Sequence, residues 1–231
     1  MVQMNQFRQK PPLADLAPLD RVGWLSTQPD TFKTWVAENG RWRRFVAGET
    51  LYFAGDEPNG LFGLGAGALD LTFPLLGDEP VTIHRAEPGF WIGEATPLAG
   101  GRRLVSLSAA AESRVFHIPQ AAVRELLARD PACWRMFYEQ SFNNVTTAVT
   151  LLAEALALSP RARLARLLLR LADAQGRVNG NQDDFGRLIG MTRSSVRRAL
   201  GSLAEAGVLR TGYRWLEIAD VERLEQISRE A

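Results

Sequence analysis

Residues 182–209 constrain this chain more than any other stretch. Gln182-Asp183-Asp184-Phe185-Gly186-Arg187-Leu188-Ile189 reads as a short helix, Gly190-Met191 as a tight turn, and Thr192 onward as a second helix. Phe185, Leu188 and Ile189 on the first helix, and Val196, Ala199, Leu200 and Leu203 on the second, recur at helical spacing and predict one shared core. Thr192 is placed to cap the second helix by accepting from the amides that follow it. Gly190 stands where the first helix must end and the chain must turn, which favours a residue tolerant of positive φ. Gly186 has no side chain, so the second helix can approach the first closely. The opposite face carries Arg193, Ser194, Arg197 and Arg198, with Arg193 and Arg197, and Ser194 and Arg198, four residues apart along one surface. Arg210-Thr211-Gly212-Tyr213-Arg214 and Trp215-Leu216-Glu217-Ile218 then predict a strand, a glycine turn and a strand, that is, a wing. An ordinary helix pair with a solvated arginine face would share the stripe and the charges. It would not call for the turn glycine, the small contact residue, the cap and the hairpin together. The combination predicts a helix that reads the DNA major groove.

The run Gly190-Met191-Thr192-Arg193-Ser194-Ser195-Val196-Arg197-Arg198-Ala199-Leu200, followed by Leu203-Ala204-Glu205-Ala206-Gly207-Val208-Leu209, resembles the winged helix-turn-helix of the cyclic-AMP receptor protein/FNR (Crp/Fnr) family of bacterial transcription regulators. The resemblance implies an α+β chain: an N-terminal cyclic-nucleotide-binding-like β-roll (a jelly roll), a long dimerisation helix and a C-terminal winged helix-turn-helix. The corresponding segments are 1–130, a sensor roll with flanking helices, 131–158, the dimerisation helix, and 159–231, the DNA-binding domain.

Composition permits this. A chain of 231 residues suits two small domains, and 46% hydrophobic residues support packed cores. No apolar run approaches the length of a membrane span. Met1 to Pro12 is polar and lacks a signal-peptide core, so a cytoplasmic location is expected. The lone Cys133 cannot form an internal disulfide and fits a reducing compartment. Net charge is only +1, but it is unevenly distributed. Residues 159–231 carry 13 Arg and no Lys against 9 Asp plus Glu, a surplus of four positive charges, which leaves residues 1–158 at −3. The basic surplus lies in the half expected to neutralise phosphates.

Between Trp42 and Ile118 the chain reads as short strands: Arg44 to Val46, Thr50 to Phe53, Gly60 to Leu64, Ala68 to Phe73, Val81 to His84, Val105 to Ala109 and Arg114 to Ile118. Turn signals at Ala47-Gly48-Glu49, Gly55-Asp56-Glu57-Pro58, Gly77-Asp78 and Glu87-Pro88-Gly89 separate several of them, as in a β-sandwich or roll. Ala47 to Asp56 is similar to the family's opening of this roll, and Glu87 to Glu94 to its lead-in to the phosphate-binding cassette. By that resemblance Gly93 and Glu94 occupy the cassette's small-residue and ribose positions, and Arg103 the phosphate position, with Arg102 as the alternative register. Leu104 stands where serine or threonine is usual, cannot donate to a phosphate, and is expected to crowd the amide there. Asn144 stands where an arginine is often found, and Ala148 and Val149 replace the family's base-contacting hydroxyls. Three departures argue against cyclic AMP. A residual Glu94–Arg103 ion pair that holds the roll together, or another small effector, remains open. The single cysteine excludes a four-cysteine iron–sulfur cluster. Haem could be held through His84 or His117, but a lone histidine is far more often structural, so haem is not the expected cofactor. Two histidines on different strands do not supply the His/Glu cluster of a metal enzyme, and no metal and no catalytic residue is expected.

Leu13 to Asn39 looks partly helical, starting at Pro29-Asp30, and Pro119 to Arg129 reads as a short helix. Asp130 and Pro131 then predict the start of a long helix to about Leu158. Along it Trp134, Phe137, Ser141, Asn144 or Val145, Ala148, Leu152 and Leu156 recur at three- and four-residue steps. The seam Val145-Val149-Leu152-Leu156 suits self-association as a coiled coil, the first half packing also on the roll. Ser159-Pro160 breaks the helix and marks a hinge, with a further helix from Arg161 to Ala174.

The sequence-based expectation is a homodimer on a near-palindromic site, not dependent on cyclic AMP and not an enzyme. Its expected partners are double-stranded DNA and RNA polymerase, and no membrane. Arg193 and Arg198 are the candidate base readers; Ser195, Arg197, Thr192 and Gln182 are candidate phosphate contacts. Ser194 stands where many family members carry glutamate, so the usual half-site does not transfer. The alternative is a small-effector binding protein whose winged domain contacts protein.

Overall fold

The computed structural model describes residues 15–74, 80–212 and 215–230. The turn expected at Gly77-Asp78, the wing tip Tyr213-Arg214 and the polar start Met1 to Pro12 lie outside them. Two compact units are distinct: the first ends at Asn143, and the second begins at Asn144 and takes in residues 74–84.

The first unit opens with a 3-10 turn at Trp24–Thr27 and helix α1 (Asp30–Asn39), entered from Pro29. Strands β1 (Arg41–Phe45), β2 (Thr50–Tyr52), β3 (Gly60–Ala66) and β4 (Leu69–Phe73) follow, then β5 (Val81–Ala86), whose residues 81–84 are counted with the second unit, and β6 (Trp91–Ile92). A short helix α2 (Ala95–Ala99), β7 (Ser106–Ala109), β8 (Ser113–Pro119) and α3 (Gln120–Arg129) complete the roll. One sheet has the order β1-β8-β3-β6 and the other β2-β7-β4-β5. Arg41 to Phe45 pair antiparallel with His117 back to Ser113, and Leu69 to Thr72 with Ala109 back to Ser106. At the edge, the Arg85 guanidinium forks onto Asp70 with two bonds of 2.7 and 2.9 Å.

The first sheet is covered on both faces, which is why β3 reads as an unbroken apolar run and β8 buries four consecutive residues from Val115 to Ile118 rather than alternate ones. Leu61, Trp91, Phe116 and Ile118 pack with Trp24, Phe32, Val36, Val123, Leu126 and Phe137 from the helical side. Phe62, Leu64 and Val115 face the other way, onto Phe45, Tyr52, Leu69, Leu71 and Leu107. The Trp91 indole lies where a Cβ on Gly63 would stand, 2.6 Å from it, so the β3–β6 pairing needs a residue without a side chain. Strand β6 is two residues long and too short to show any period, so the sequence does not reveal it.

The long helix α4 (Trp134–Ala157) departs from expectation in two ways. Asp130 caps a 3-10 turn, Pro131–Cys133, accepting from the Ala132 amide at 3.1 Å, and α4 starts only after it. The seam expected at Val145, Val149, Leu152 and Leu156 is exposed, but it continues toward the start of the helix through Phe142 and Tyr138 rather than through Ser141 and Phe137. Phe137 is fully buried and Ser141 turns inward to Glu94, because the roll covers that face. Tyr138, Phe142, Val145, Val149, Leu152 and Leu156 are exposed instead, at steps of four and three residues in strict alternation. That is the heptad spacing of a coiled-coil seam.

In the second unit α5 (Pro160–Leu171) begins at the expected break: Ser159 is extended, and its hydroxyl accepts from the Ala162 amide at 3.2 Å. The helix ends three residues before Ala174, because the Asp173 carboxylate captures the amides of Gln175 and Arg177 in a turn. Strand β9 (Arg177–Val178), helices α6 (Gln182–Ile189) and α7 (Arg193–Glu205), strands β10 (Leu209–Gly212) and β11 (Trp215–Ile218), and α8 (Val221–Ile227) follow. The sheet order is β10-β11-β9, with Leu209 opposite Ile218 and Gly212 opposite Trp215. Leu164 and Leu168 of α5, Phe185 and Leu188 of α6, and Val196, Ala199, Leu200 and Leu203 of α7 form one buried core.

Candidate nucleic-acid interface

The helix-turn-helix is built from backbone constraints. Asn181 caps α6 through its side-chain oxygen, which accepts from the amides of Asp183 and Asp184 at 2.9 Å each. Sequence reading missed this cap, although an asparagine before two acids is a start signal. Gly190 ends α6 at φ 61°, ψ 42°, and the Met191 amide donates back to the Gly186 carbonyl at 2.9 Å. A Cβ on Gly186 would stand 2.6 Å from the Met191 carbonyl oxygen and 3.5 Å from Val196 Cγ2. The close approach read from the sequence is therefore real, and the atom it protects is in the turn. Thr192 caps α7, accepting from the Ser195 amide at 3.3 Å.

With its stripe buried, α7 presents Thr192, Arg193, Ser194, Arg197 and Arg198 to solvent. Ser195 is half-buried, and its hydroxyl accepts from Thr192 at 3.0 Å and from Arg198 Nη2 at 3.5 Å. The Ser194 and Thr192 hydroxyls are 3.0 Å apart. Arg193 Nε lies 3.5 Å from Asp183 on α6, and Gln182 is half-buried at the start of that helix. The N-terminal turn of α7 thus combines free helical amides, hydroxyls and guanidinium groups, which suits phosphate and base edges.

The rest of the basic surplus is not all available. Arg163 donates to the Ile189 carbonyl at 3.1 Å, Arg166 to the Ser228 carbonyl and the Glu154 carboxylate at 2.8 Å each, and Arg161 lies 3.5 Å from Glu230. Arg187 pairs with Asp184.

The cassette of the roll is occupied by its own arginine. Arg103 is 4% exposed. Its Nη2 donates to Asn59 Oδ1 and the Gly60 carbonyl at 2.7 Å each, its Nη1 to the Gly93 carbonyl at 3.3 Å, and its guanidinium lies 4.2 Å from the Tyr52 ring centre. Gly93, at φ 106°, is required here: a Cβ would stand 2.7 Å from Arg103 Nη1. Burial pulls the guanidinium below its ordinary pKa, opposed by the charges of Tyr52, Glu94 and Asp56, and burial raises the Tyr52 hydroxyl. Glu94 is buried and accepts from Ser141 at 3.1 Å. The two charges act on each other, and Arg103 donates to Asn59, Gly60 and Gly93. Beside them His117 Nε2 donates to the Asn59 carbonyl at 3.0 Å, its ring stacked on Phe62. Asn59, Gly60, Tyr52 and His117 were not read as site residues; the sequence showed only the strands that hold Tyr52, Gly60 and His117 and the turn signal before Asn59.

Arg102 faces outward onto Gly55 and Glu57, so Arg103 is the buried arginine of the pair. Leu104 is 72% exposed. It does not crowd the cassette as expected, because its neighbour Arg103 is the residue whose backbone pairs with Gly55 and Asp56 and whose side chain turns inward. Asn144 and Ala148 lie on α4, three and seven residues beyond Ser141, with Ala148 exposed.

A cyclic nucleotide-binding domain model matches residues 42–130, and a Crp-like helix-turn-helix domain model matches residues 162–227. The chain is 28% identical over 193 residues to the transcriptional regulator LdrP of Thermus thermophilus, covering 80% of this chain and 95% of the relative. It is 26% identical over 189 residues to the cyclic AMP receptor protein of the same organism, covering 80% and 87%. Its fold is that of FixK2 from Bradyrhizobium japonicum, with a TM-score of 0.72 at 18% identity over 83% of this chain and 98% of that one. A nucleotide-binding-type roll, a long helix and a winged helix-turn-helix in this order make the chain a member of the Crp/Fnr family of transcription regulators.

Proposed function

We propose that the protein regulates transcription as a homodimer, paired along α4, which reads a near-palindromic DNA site without cyclic AMP. The observation that carries this reading is the face of α7: Arg193, Arg197 and Arg198 stand exposed beside a capped helix N-terminus whose other side is buried. Arg193 and Arg198 read base edges, while Thr192, Ser195, Arg197 and Gln182 hold phosphates and set register, and Ser194 stands at a base-reading position without the family's glutamate. Double-stranded DNA is the primary partner, and RNA polymerase is the partner through which a bound dimer changes transcription.

The exposed seam from Tyr138 to Leu156 supports pairing, since its alternation of four- and three-residue steps keeps one apolar line facing a partner helix. A dimer places its two reading helices one DNA turn apart, about 34–36 Å. Arg103, bonded to three oxygens of its own chain, supports independence from cyclic AMP. So do Leu104, Ala148 and Val149, none of which carries a hydroxyl.

The test is selection of DNA from a random pool by purified protein, with and without cyclic AMP. A two-fold symmetric site recovered equally in both arms is the expected result. Arg198→Ala should then lose about 1–3 kcal/mol on that site and relax one base position. Recovery of no sequence, or only with the nucleotide present, overturns the reading. In sedimentation Val149→Glu should give monomers; an unchanged dimer refutes the seam.

A further inference from the structure

The break between α4 and α5 is covalently thin. Leu158 still donates to Glu154, but Ser159 is extended at ψ 156°, and α5 restarts its own ladder with the Arg163 amide on the Ser159 carbonyl. No helical hydrogen bond of the backbone crosses the junction, so backbone torsions there are soft. The Arg166 side chain bridges it. Arg166, two turns into α5, donates through Nη1 to Glu154 Oε1 near the end of α4 at 2.8 Å, and through Nε to the Ser228 carbonyl beyond α8 at 2.8 Å. The Glu154 side chain is 19% exposed, so the pair is shielded and directional rather than a mobile surface contact. The Ser228 bond lies wholly within the winged domain, whereas the Glu154 bond ties that domain to the helix.

We infer that the Arg166–Glu154 bridge is a positioning device that holds each reading head at a fixed angle to its own α4 and thereby fixes the half-site spacing the dimer accepts. It rests on the paired reading of DNA proposed above. One inserted base pair moves a half-site by about 3.4 Å and rotates it by roughly a tenth of a turn. A clamped dimer cannot follow that displacement without losing base contacts; an unclamped one can swing at Ser159.

Glu154→Ala is the informative variant, because it removes the bridge from the α4 side and leaves the Arg166 bond to Ser228, the α5 core and the α7 face intact. Wild type and variant are titrated against a set of symmetric sites whose half-site separation is changed by one and two base pairs. Wild type should lose about tenfold on the first change, the loss of one good base contact. Glu154→Ala should bind the whole set within about threefold while remaining dimeric in sedimentation, and Glu154→Asp should fall between them. A variant that discriminates spacing as steeply as wild type overturns the clamp. Wild type that binds single half-sites as well as paired ones overturns the paired reading, and with it any spacing for a clamp to set. A merely structural loss would lower affinity for every separation equally, which also counts against the clamp.

Discussion

Gly186→Ala isolates the closest contact in the helix-turn-helix. Gly186 sits within α6 without a positive φ, so alanine meets no backbone strain there, and in open space it would add about 1 kcal/mol of helix propensity. The space is not open. The new Cβ would stand 2.6 Å from the Met191 carbonyl oxygen, so the turn must retreat by about 0.8 Å to reach ordinary contact at 3.4 Å. The Met191 amide is bonded to the Gly186 carbonyl, so the retreat strains the bond that closes the turn. Overpacking of this kind costs roughly 1–3 kcal/mol. After the propensity gain the expected net loss is about 1 kcal/mol, concentrated at Gly190 to Thr192, where α7 begins. Gly201→Ala is the matched control: also helical, with nothing within 4 Å of its Cβ, it should gain about 0.5–1 kcal/mol. Hydrogen exchange over residues 182–209 reads both, as a protection change of about fivefold down for the first and about two- to fivefold up for the second. Equal protection in the two variants would refute the steric argument.

Arg103→Met removes the donor to Asn59, Gly60 and Gly93, and should destabilise the roll by roughly 2–5 kcal/mol in thermal or denaturant unfolding. A change below about 0.5 kcal/mol would instead mark the arginine as a spare ligand group. His117 supplies a pH signature. Burial lowers its pKa, so the native ring is neutral and the unfolded chain takes up the proton first as pH falls below 6.5. Stability is therefore full above that pH and declines below it, and His117→Gln should shrink the loss between pH 7 and pH 5.5. An unchanged loss would assign that acid limb to other groups.

The reading head was legible because its determinants are local. A cap, a turn glycine, a small contact residue and a stripe at fixed offsets each act within about four residues. Strands β3 and β8 were legible from composition, but not which face each residue takes, because both faces are buried. The seam of α4 shows the limit most clearly. Two apolar series, one through Phe137 and Ser141 and one through Tyr138 and Phe142, run one residue apart, and only the roll packed against the first shows which is left outside. The Arg103 cluster was only half visible. The resemblance placed Gly93 and Arg103 in one cassette, but Asn59 and Tyr52 are distant in sequence from both, and a guanidinium bonded to carbonyl oxygens leaves no residue pattern.

The arginines of α5 bear on how the protein would move over DNA it does not recognise. Arg161, Arg163 and Arg166 each contact an oxygen of their own domain, so a count of charges overstates the number of phosphates the domain can neutralise. Salt dependence follows phosphate contacts, with a slope of about −0.9 per contact, so binding should weaken less steeply with ionic strength than a full count of the domain's 13 arginines would give. Weak adhesion to arbitrary sequence shortens each unproductive encounter, and leaves discrimination to the few side chains at the tip of α7.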